Sequence, residues 1–243
     1  MTIPHRREYT WRMENLPHLG PFDAVDIVAV GLTLLCWLAS TWLIEHPPAA
    51  RPSVSLLMKA YRQEWMRQFV TRQPRIFDAT IIDNLRQGTA FFASTSMLAV
   101  GGGIAMLGNP AALSGLVQGL TLPGEDAVVQ VRLLLVIAFL ANALLKFVWA
   151  HRLFGYCAVL MAAVPNDPLD PLASHRAAQA AEVNITAARS FNRGLESIYF
   201  ALGALAWLLS PYALIAAALL TTGLLLRREF ASHSRAIMLA GKP

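Results

Sequence analysis

Four long runs of apolar residues alternate with charged segments along this chain. They cover residues 27–44, 89–107, 131–150 and 195–226, and each is nearly free of charge. A helix of about 18 to 20 apolar residues spans the roughly 30 Å hydrocarbon core of a membrane. The pattern therefore predicts an all-α fold, a polytopic transmembrane helix bundle with four to five membrane segments.

One domain, residues 22–232, holds all of the predicted segments. A polar N-terminal tail, residues 1–21, precedes it, and a short C-terminal tail, residues 233–243, follows it. The third apolar run continues unbroken to about residue 164, so its far end should project beyond the bilayer or lie along its surface. The membrane segments are expected at about residues 26–44, 86–107, 131–150, 195–209 and 211–226.

The last apolar run has two interpretations because Ser210 and Pro211 lie at its centre. A proline inside a membrane helix can kink it, which leaves one long helix and four membrane segments. A serine before a proline is also a helix start, in which the serine caps and the proline takes the first helical position. This second interpretation makes a hairpin, and Asp170 with Pro171 carries the same signal for the preceding helix.

The distribution of Lys and Arg favours the hairpin. With five segments, 3 of the basic residues outside the membrane fall on one side and 14 on the other. With four segments the division is 7 against 10, which is a weaker bias. Because positive charges collect on the cytoplasmic side of membrane proteins, the five-segment division predicts a cytoplasmic C-terminus and an N-terminus on the other side.

Residues 53–72 form a different kind of helix, which is basic and amphipathic. Its apolar side chains recur every three or four residues and therefore share one face. Such a helix suits a membrane surface that carries anionic lipids, here on the cytoplasmic side. Packing of the apolar face against the protein's own helices is the alternative. The candidate interfacial residues are Lys59, Arg62, Trp65, Arg67 and Phe69.

A polar and aromatic stripe marks the third membrane segment. At about 100° per residue its members fall in one sector of the helix, from which His151 points away. Basic residues in an apolar helix either snorkel to the membrane surface or line a substrate or proton path. If Lys146 is buried, Glu196 in the fourth segment is its expected partner. The candidate stripe residues are Asn142, Lys146, Trp149, Arg152, Tyr156 and Glu196.

The composition gives little sign of chemistry. The chain has 243 residues, 56% of them hydrophobic and 14% charged, and a net charge of +5 with no nucleic-acid-binding motif beside it. Cys36 and Cys157 lie singly in apolar segments, as small buried residues rather than a disulfide or a metal pair. No GxSxG, HExxH, SxxK or CxxC motif occurs. We therefore expect no enzyme activity, no cofactor, no metal site and no nucleic-acid partner.

Four stretches occur together along the chain and are more specific than composition. They read RQGTAFFASTS at 86–96, KFVWAHRLFGYC at 146–157, FNRGLESIYFALGALAW at 191–207 and RREFAS at 227–232. In this order they resemble a bacterial family of integral membrane proteins catalogued as domain of unknown function 599. The resemblance covers about residues 22–232 and implies a multi-pass protein of the bacterial inner membrane, whose N-terminus would then be periplasmic. It implies no activity.

Two functions remain open. The first is an interaction or assembly protein, an accessory subunit of a membrane complex or a homo-oligomer, which suits the basic helix and the long cytoplasmic helices. The second is a small transporter or channel with a polar site around the third segment, since broken helices such as the last apolar run often line binding sites. An internal cavity lined by Lys146, Arg152 and Glu196 would favour the second.

Overall fold

The computed structural model describes residues 22–109 and 126–240, and in these ranges the fold is all-helical, as predicted, without a β-strand. The N-terminal tail and residues 241–243 lie outside the described residues. A short 3₁₀ turn, Leu205–Leu208, follows the fifth of the helices below. The helices are α1 Ala24–Glu45, α2 Val54–Thr71, α3 Ile76–Leu107, α4 Asp126–Ala162, α5 Pro171–Ala204, α6 Pro211–Phe230 and α7 His233–Ala240.

Three of the described helices are long and apolar enough to cross a membrane. They are Ala24–Glu45, Ile76–Leu107 and Ala127–Ala162, which contain the first three predicted membrane segments. The fourth and fifth predicted segments fall at the end of α5 and within α6, and their placement in a membrane stays a prediction.

The helices α3, α4 and α5 are longer than a bilayer requires. They have 32, 37 and 34 residues, or about 48 to 56 Å of helix against a core of roughly 30 Å. The α4 and α5 helices are antiparallel, since Asn142 contacts Ser197 near one end and Cys157 contacts Ala180 near the other. The α3 and α4 helices are antiparallel too, since Gln130 contacts Leu107 near one end and His151 contacts Arg86 further along. These three helices therefore run nearly the full length of the molecule.

The shorter helices each cover one half of this three-helix frame. In one half α1 packs beside α5, from Trp207, which contacts Asp26, to Arg193, which contacts Glu45. In the other half α2 packs along α5 and runs antiparallel to it. We call the half that contains Trp207 the span half and its end at Trp207 the span end. The half that α2 covers is called the helical lobe.

Each half has its own buried core. The core of the span half is formed mainly by α1, α4, α5 and α6, with Phe139, Phe200 and Leu214 among its buried residues. The lobe core combines α2 with the first turns of α3, the end of α4 and the Ala-rich start of α5. Its buried residues are Met66, Phe69, Val70, Ile82, Leu153, Phe154, Cys157, Met161, Val164, Ala173, Ala177, Ala180, Ala181 and Ala187.

The chain reverses direction between α5 and α6. The Ser210 hydroxyl accepts a hydrogen bond from the Ala213 amide at 3.1 Å, with Pro211 at the first helical position, so the predicted helix start is present. At the far end of α6, Arg228 donates to the Tyr199 hydroxyl of α5 at 2.9 Å. Residues 195–226 are therefore two antiparallel arms rather than one long kinked helix. The start predicted at Asp170 is present as well.

Between the two cores, α4 and α5 pack closely together at Gly194. A Cβ atom added there would lie 2.6 Å from Cε1 of Phe147. The Phe147 ring is fully buried and packs against Phe92 and Phe191, with centroid distances of 5.3 Å and 5.5 Å. Only a residue without a Cβ lets the α5 backbone lie against this aromatic cluster.

Candidate functional site

The predicted polar stripe is divided in the structure. Asn142 and Glu196 face other helices and tie them together. The Asn142 amide donates to the Ser197 hydroxyl at 2.7 Å, and buried Glu196 accepts a hydrogen bond from the Thr41 hydroxyl of α1 at 2.6 Å. Both contacts satisfy a polar group within an apolar bundle, where an unpaired one is costly.

The other stripe residues lie towards the outside of α4. Trp149 is 48% exposed and Tyr156 is 45% exposed. Arg152 donates to the Tyr156 hydroxyl at 2.9 Å. Lys146 is half-buried and makes no hydrogen bond or ion pair with any residue in 22–109 or 126–240. The expected Lys146–Glu196 pair is therefore not formed, because Glu196 faces α1.

The basic amphipathic helix is present as α2, but its apolar face packs on the protein. Phe69 is 2% exposed in the lobe core. The Arg62 guanidinium donates to the Asn184 side chain of α5, and the Trp65 indole donates to Asp78 of α3 at 2.6 Å. These contacts agree with the alternative interpretation, in which the apolar face packs on the protein's own helices; contact of α2 with a membrane surface stays a prediction. The same apolar stripe that suits a membrane also suits α5, and α5 covers it.

The remaining two interfacial candidates differ from each other. Arg67 is exposed and pairs with Glu64 at 2.5 Å on its own helix. Such an exposed pair contributes little to stability. Lys59, by contrast, lines a cleft that α2 forms with α5 and α6. The sequence pattern identified Lys59 as basic and external but not as part of a cavity.

Two polar contacts of the lobe were not expected from sequence. Fully buried Asp78 accepts from Arg72 at 2.5 Å, which ties α3 to the end of α2. Arg75 donates to the carbonyl of Val164 at 2.7 Å and so caps the end of α4. The position of Asp78 in the first turn of α3 suited a helix start, but its arginine partner depends on the fold.

The side chain of His151 contacts two groups of α3. Its Nδ1 atom lies 3.2 Å from the Arg86 carbonyl and 3.3 Å from the Thr89 hydroxyl, both on α3. The described residues contain no group of three or more His, Cys, Asp or Glu side chains that could hold a metal ion. Within those residues His151 therefore joins α4 to α3.

Charged side chains converge in a cleft of about 440 Å³, at the point where α1 and α6 end and α2 begins. We call it the basic cleft. Its size falls within the roughly 300 to 1,000 Å³ of small-molecule sites. The charged residues that line it are Glu45, Lys59, Arg62, Arg189, Arg228 and Glu229.

None of the four cations of the basic cleft forms an ion pair with a described residue. Two of them contact neutral groups: Arg62 contacts Asn184, and Arg228 contacts Tyr199. Lys59 and Arg189 make no hydrogen bond within the described part of the chain. Cations outnumber acids in the cleft by four to two, and no acid among the described residues lies within ion-pair distance of these cations.

Both acids of the cleft bind other groups of the protein. Glu45 binds the guanidinium of Arg193 through both oxygens, at 2.6 Å and 2.7 Å. Glu229 accepts a hydrogen bond from the Ser55 amide at 3.0 Å, in the first turn of α2. A carboxylate at a helix N-terminus compensates the orphan amides and the dipole there. Glu45 therefore links α1 to α5, and Glu229 links α6 to α2, at the edges of the cleft.

A second polar cluster lies at the span end. Buried Asp26 of α1 accepts a hydrogen bond from the Trp207 indole at 2.6 Å, and Arg132 of α4 lies 3.6 Å from the same oxygen. The Arg132 guanidinium also lies 5.9 Å from the Trp207 ring centroid. This cluster holds the turn between α5 and α6 against α1 and α4.

Fold and site together define the class: an all-helical protein with three described helices that are long and apolar enough to cross a membrane. The chain belongs to the family described as "Protein of unknown function, DUF599", whose family model matches residues 28–234. The resemblance carried by the four motifs is thereby confirmed. No curated protein and no solved structure matches the chain. Function must be argued from the geometry alone.

Proposed function

We propose that this protein is an accessory protein of the bacterial inner membrane, which crosses the bilayer five times and presents the helical lobe to a protein partner in the cytoplasm. One observation carries the proposal. The α3, α4 and α5 helices continue past the ends of α1 and α6 into a lobe with a core of its own. A protein that only crossed the bilayer would not require this second core.

The five-segment arrangement is supported by two independent features. The antiparallel α5 and α6 helices put the turn at Leu205–Ser210 beside the start of α1. The lobe and the basic cleft then lie on the side that holds 14 of the basic residues, in agreement with the positive-inside tendency. A locally thinned bilayer accommodates the short arms of the hairpin.

The partner site is proposed to be the groove between α2 and α5, which has a volume of about 560 Å³. Small side chains on one face of α5, Ala177, Ala178 and Ala181, form its floor, with Arg67 and Glu182 at its rim. Small residues let another helix approach closely, and rim charges select its orientation. We propose binding rather than catalysis, because the buried polar side chains described above pair helices with each other.

A photo-reactive amino acid at Ala178 tests the proposed partner site in native membranes. The matched control is Leu98, which is 78% exposed on the span half of α3. We expect a discrete protein adduct from position 178 and none from position 98. An adduct of twice the protein's mass would identify the partner as a second copy. Lipid adducts alone at position 178 would refute the partner site.

Topology is tested separately with single cysteines at Leu209 and Ser234, in a background without Cys36 and Cys157. An impermeant thiol reagent on intact spheroplasts should label position 209, in the turn between α5 and α6, and spare position 234. Labelling of position 234 alone would reverse the orientation. Labelling of neither position, with both labelled after lysis, would refute the outward placement of the turn.

Transport is the second candidate, because a broken segment such as that between α5 and α6 often lines a binding site. The predicted cavity around Lys146, Arg152 and Glu196 is the feature that would favour it. The cavities described above are not lined by Lys146 or Arg152. Accessory binding is therefore the better supported proposal.

A further inference from the structure

The basic cleft lies at a boundary along the bundle. The apolar span half ends on one side of it, at Ile44 of α1 and Leu225 of α6, both buried. On its other side begins α2, which carries the basic residues Lys59, Arg62 and Arg67. If α1 and α6 are membrane helices, their ends bring the cleft to the level of the lipid headgroups.

The cleft holds more positive than negative charge, with four cations against Glu45 and Glu229, which bind Arg193 and the Ser55 amide. Burial lowers the pKa of the Arg62 guanidinium, and the only described hydrogen-bond partner of this group is the neutral Asn184. A buried cation without an anion is unfavourable, and an anion held beside it offsets that cost. Lys59 on α2 and Arg189 on α5 add two more cations without a described partner.

The cleft is lined by both polar and apolar side chains, which is the combination that an amphiphilic ligand requires. Besides the cations, the Asn192 amide lines the cleft and can act as a donor. Apolar side chains from three helices, Ile44, Met58 and Met238, line the cleft as well. A phosphodiester suits the cations, since Arg and Lys bind phosphate oxygens through charge-assisted hydrogen bonds.

We propose that the basic cleft binds the phosphate group of an anionic membrane lipid. Lys59 and Arg189 contact the phosphate from opposite walls, Arg62 lies behind it, and the glycerol end of the acyl chains lies on the methionines. Basic pockets between helices on the cytoplasmic side are a recurring form of lipid-headgroup site. The inference rests on the membrane placement in the proposed function but not on the protein partner.

The test uses purified full-length protein in neutral detergent, with thermal unfolding followed at increasing ligand concentration. The probes are dioctanoyl phosphatidylglycerol, dioctanoyl phosphatidylcholine, glycerol 3-phosphate and inorganic phosphate. The test variant is Lys59→Gln with Arg189→Gln, two residues without described hydrogen bonds. Its charge-matched control is Arg152→Gln with Arg227→Gln, two exposed arginines outside the cleft. A charge-retaining variant, Lys59→Arg with Arg189→Lys, shows whether a loss of binding comes from the lost charge or from a loss of fold.

We expect phosphatidylglycerol to bind the wild type at least about tenfold more tightly than phosphatidylcholine does. The test variant should lose roughly 10- to 100-fold in affinity, as for one or two charge-assisted hydrogen bonds. The charge-matched and charge-retaining variants should bind within about threefold of the wild type.

Equal affinity of the wild type and the test variant would overturn the site. An equal loss in the charge-matched control would also overturn it, since the effect would then belong to overall charge. If glycerol 3-phosphate or inorganic phosphate stabilised the wild type at the same concentration as phosphatidylglycerol, the proposal that the ligand is a lipid would be overturned. No partner protein is present in these measurements, so failure here leaves the crosslinking test of the lobe unaffected, and the converse holds too.

Discussion

Replacing Gly194 with alanine should force α4 and α5 apart where Gly194 packs against Phe147. The new Cβ would lie 2.6 Å, 2.8 Å and 2.9 Å from three ring carbons of Phe147. Carbon atoms pack best at about 3.5 to 4.0 Å, so the overlap is close to 1 Å. The ring cannot turn away, because it is fully buried between Phe92 and Phe191.

The expected magnitude follows from two opposing effects. Overpacking a dense core costs about 1 to 3 kcal/mol. Alanine is also the better helix former and gains up to about 1 kcal/mol over glycine. Gly155 on α4 isolates the second effect, since a Cβ there meets nothing within 4 Å. The Gly194→Ala protein should therefore be less stable than the Gly155→Ala protein by about 1 to 3 kcal/mol.

Thermal unfolding in one detergent measures this difference directly. For a chain of this length, 1 to 3 kcal/mol corresponds to a difference in Tm of roughly 2 to 12 °C. Adding Phe147→Leu to Gly194→Ala should recover part of the loss, although Phe147→Leu alone leaves a cavity and destabilises. Equal melting of the two alanine variants, or strictly additive effects in the double variant, would refute the close approach.

Three further predictions use the same unfolding assay, and two of them add a variant of the partner residue. The free energy of unfolding of Lys146→Met should lie within about 1 kcal/mol of the wild-type value, since no described acid pairs with the lysine. A clearly lower stability would indicate a buried partner. Trp207→Phe removes a hydrogen bond to buried Asp26 and should cost about 1 to 3 kcal/mol, with Asp26→Asn less harmful in the Trp207→Phe background than alone. Arg193→Gln should cost about 1 to 2 kcal/mol, and Glu45→Gln should add little to it, because both changes break the same pair; fully additive losses would contradict that pairing.

Features encoded locally were predictable from the sequence. The helix starts at Asp170 and Ser210 were read from a capping side chain followed by proline, and each cap forms within a few residues of its own chain. The first three apolar runs predicted three of the long helices, since length and hydropathy describe a single element. The extension of α4 beyond the bilayer thickness was visible for the same reason.

Features that depend on which helices become neighbours were not predictable. The apolar face of α2 suits a membrane and a second helix equally, so periodicity could not decide between them or show that Phe69 packs in the lobe core. A helical wheel put Lys146 on one side of α4, but it could not show that Glu196 faces Thr41 on α1 instead. The basic cleft joins residues from α2, α5 and α6, which no spacing within one helix reveals.

The continuity of α4 and α5 between the two cores has a mechanical consequence. No loop separates the span half from the lobe in either helix, so the two halves form one stiff lever. From Arg193 at the boundary to Pro171 at the tip is about 33 Å of helix. Membrane helices change their tilt with bilayer thickness, and a rotation of about 10° would displace the tip by about 6 Å. If α4 and α5 cross the bilayer as proposed, a change in bilayer thickness would thus be amplified into a movement of the lobe tip.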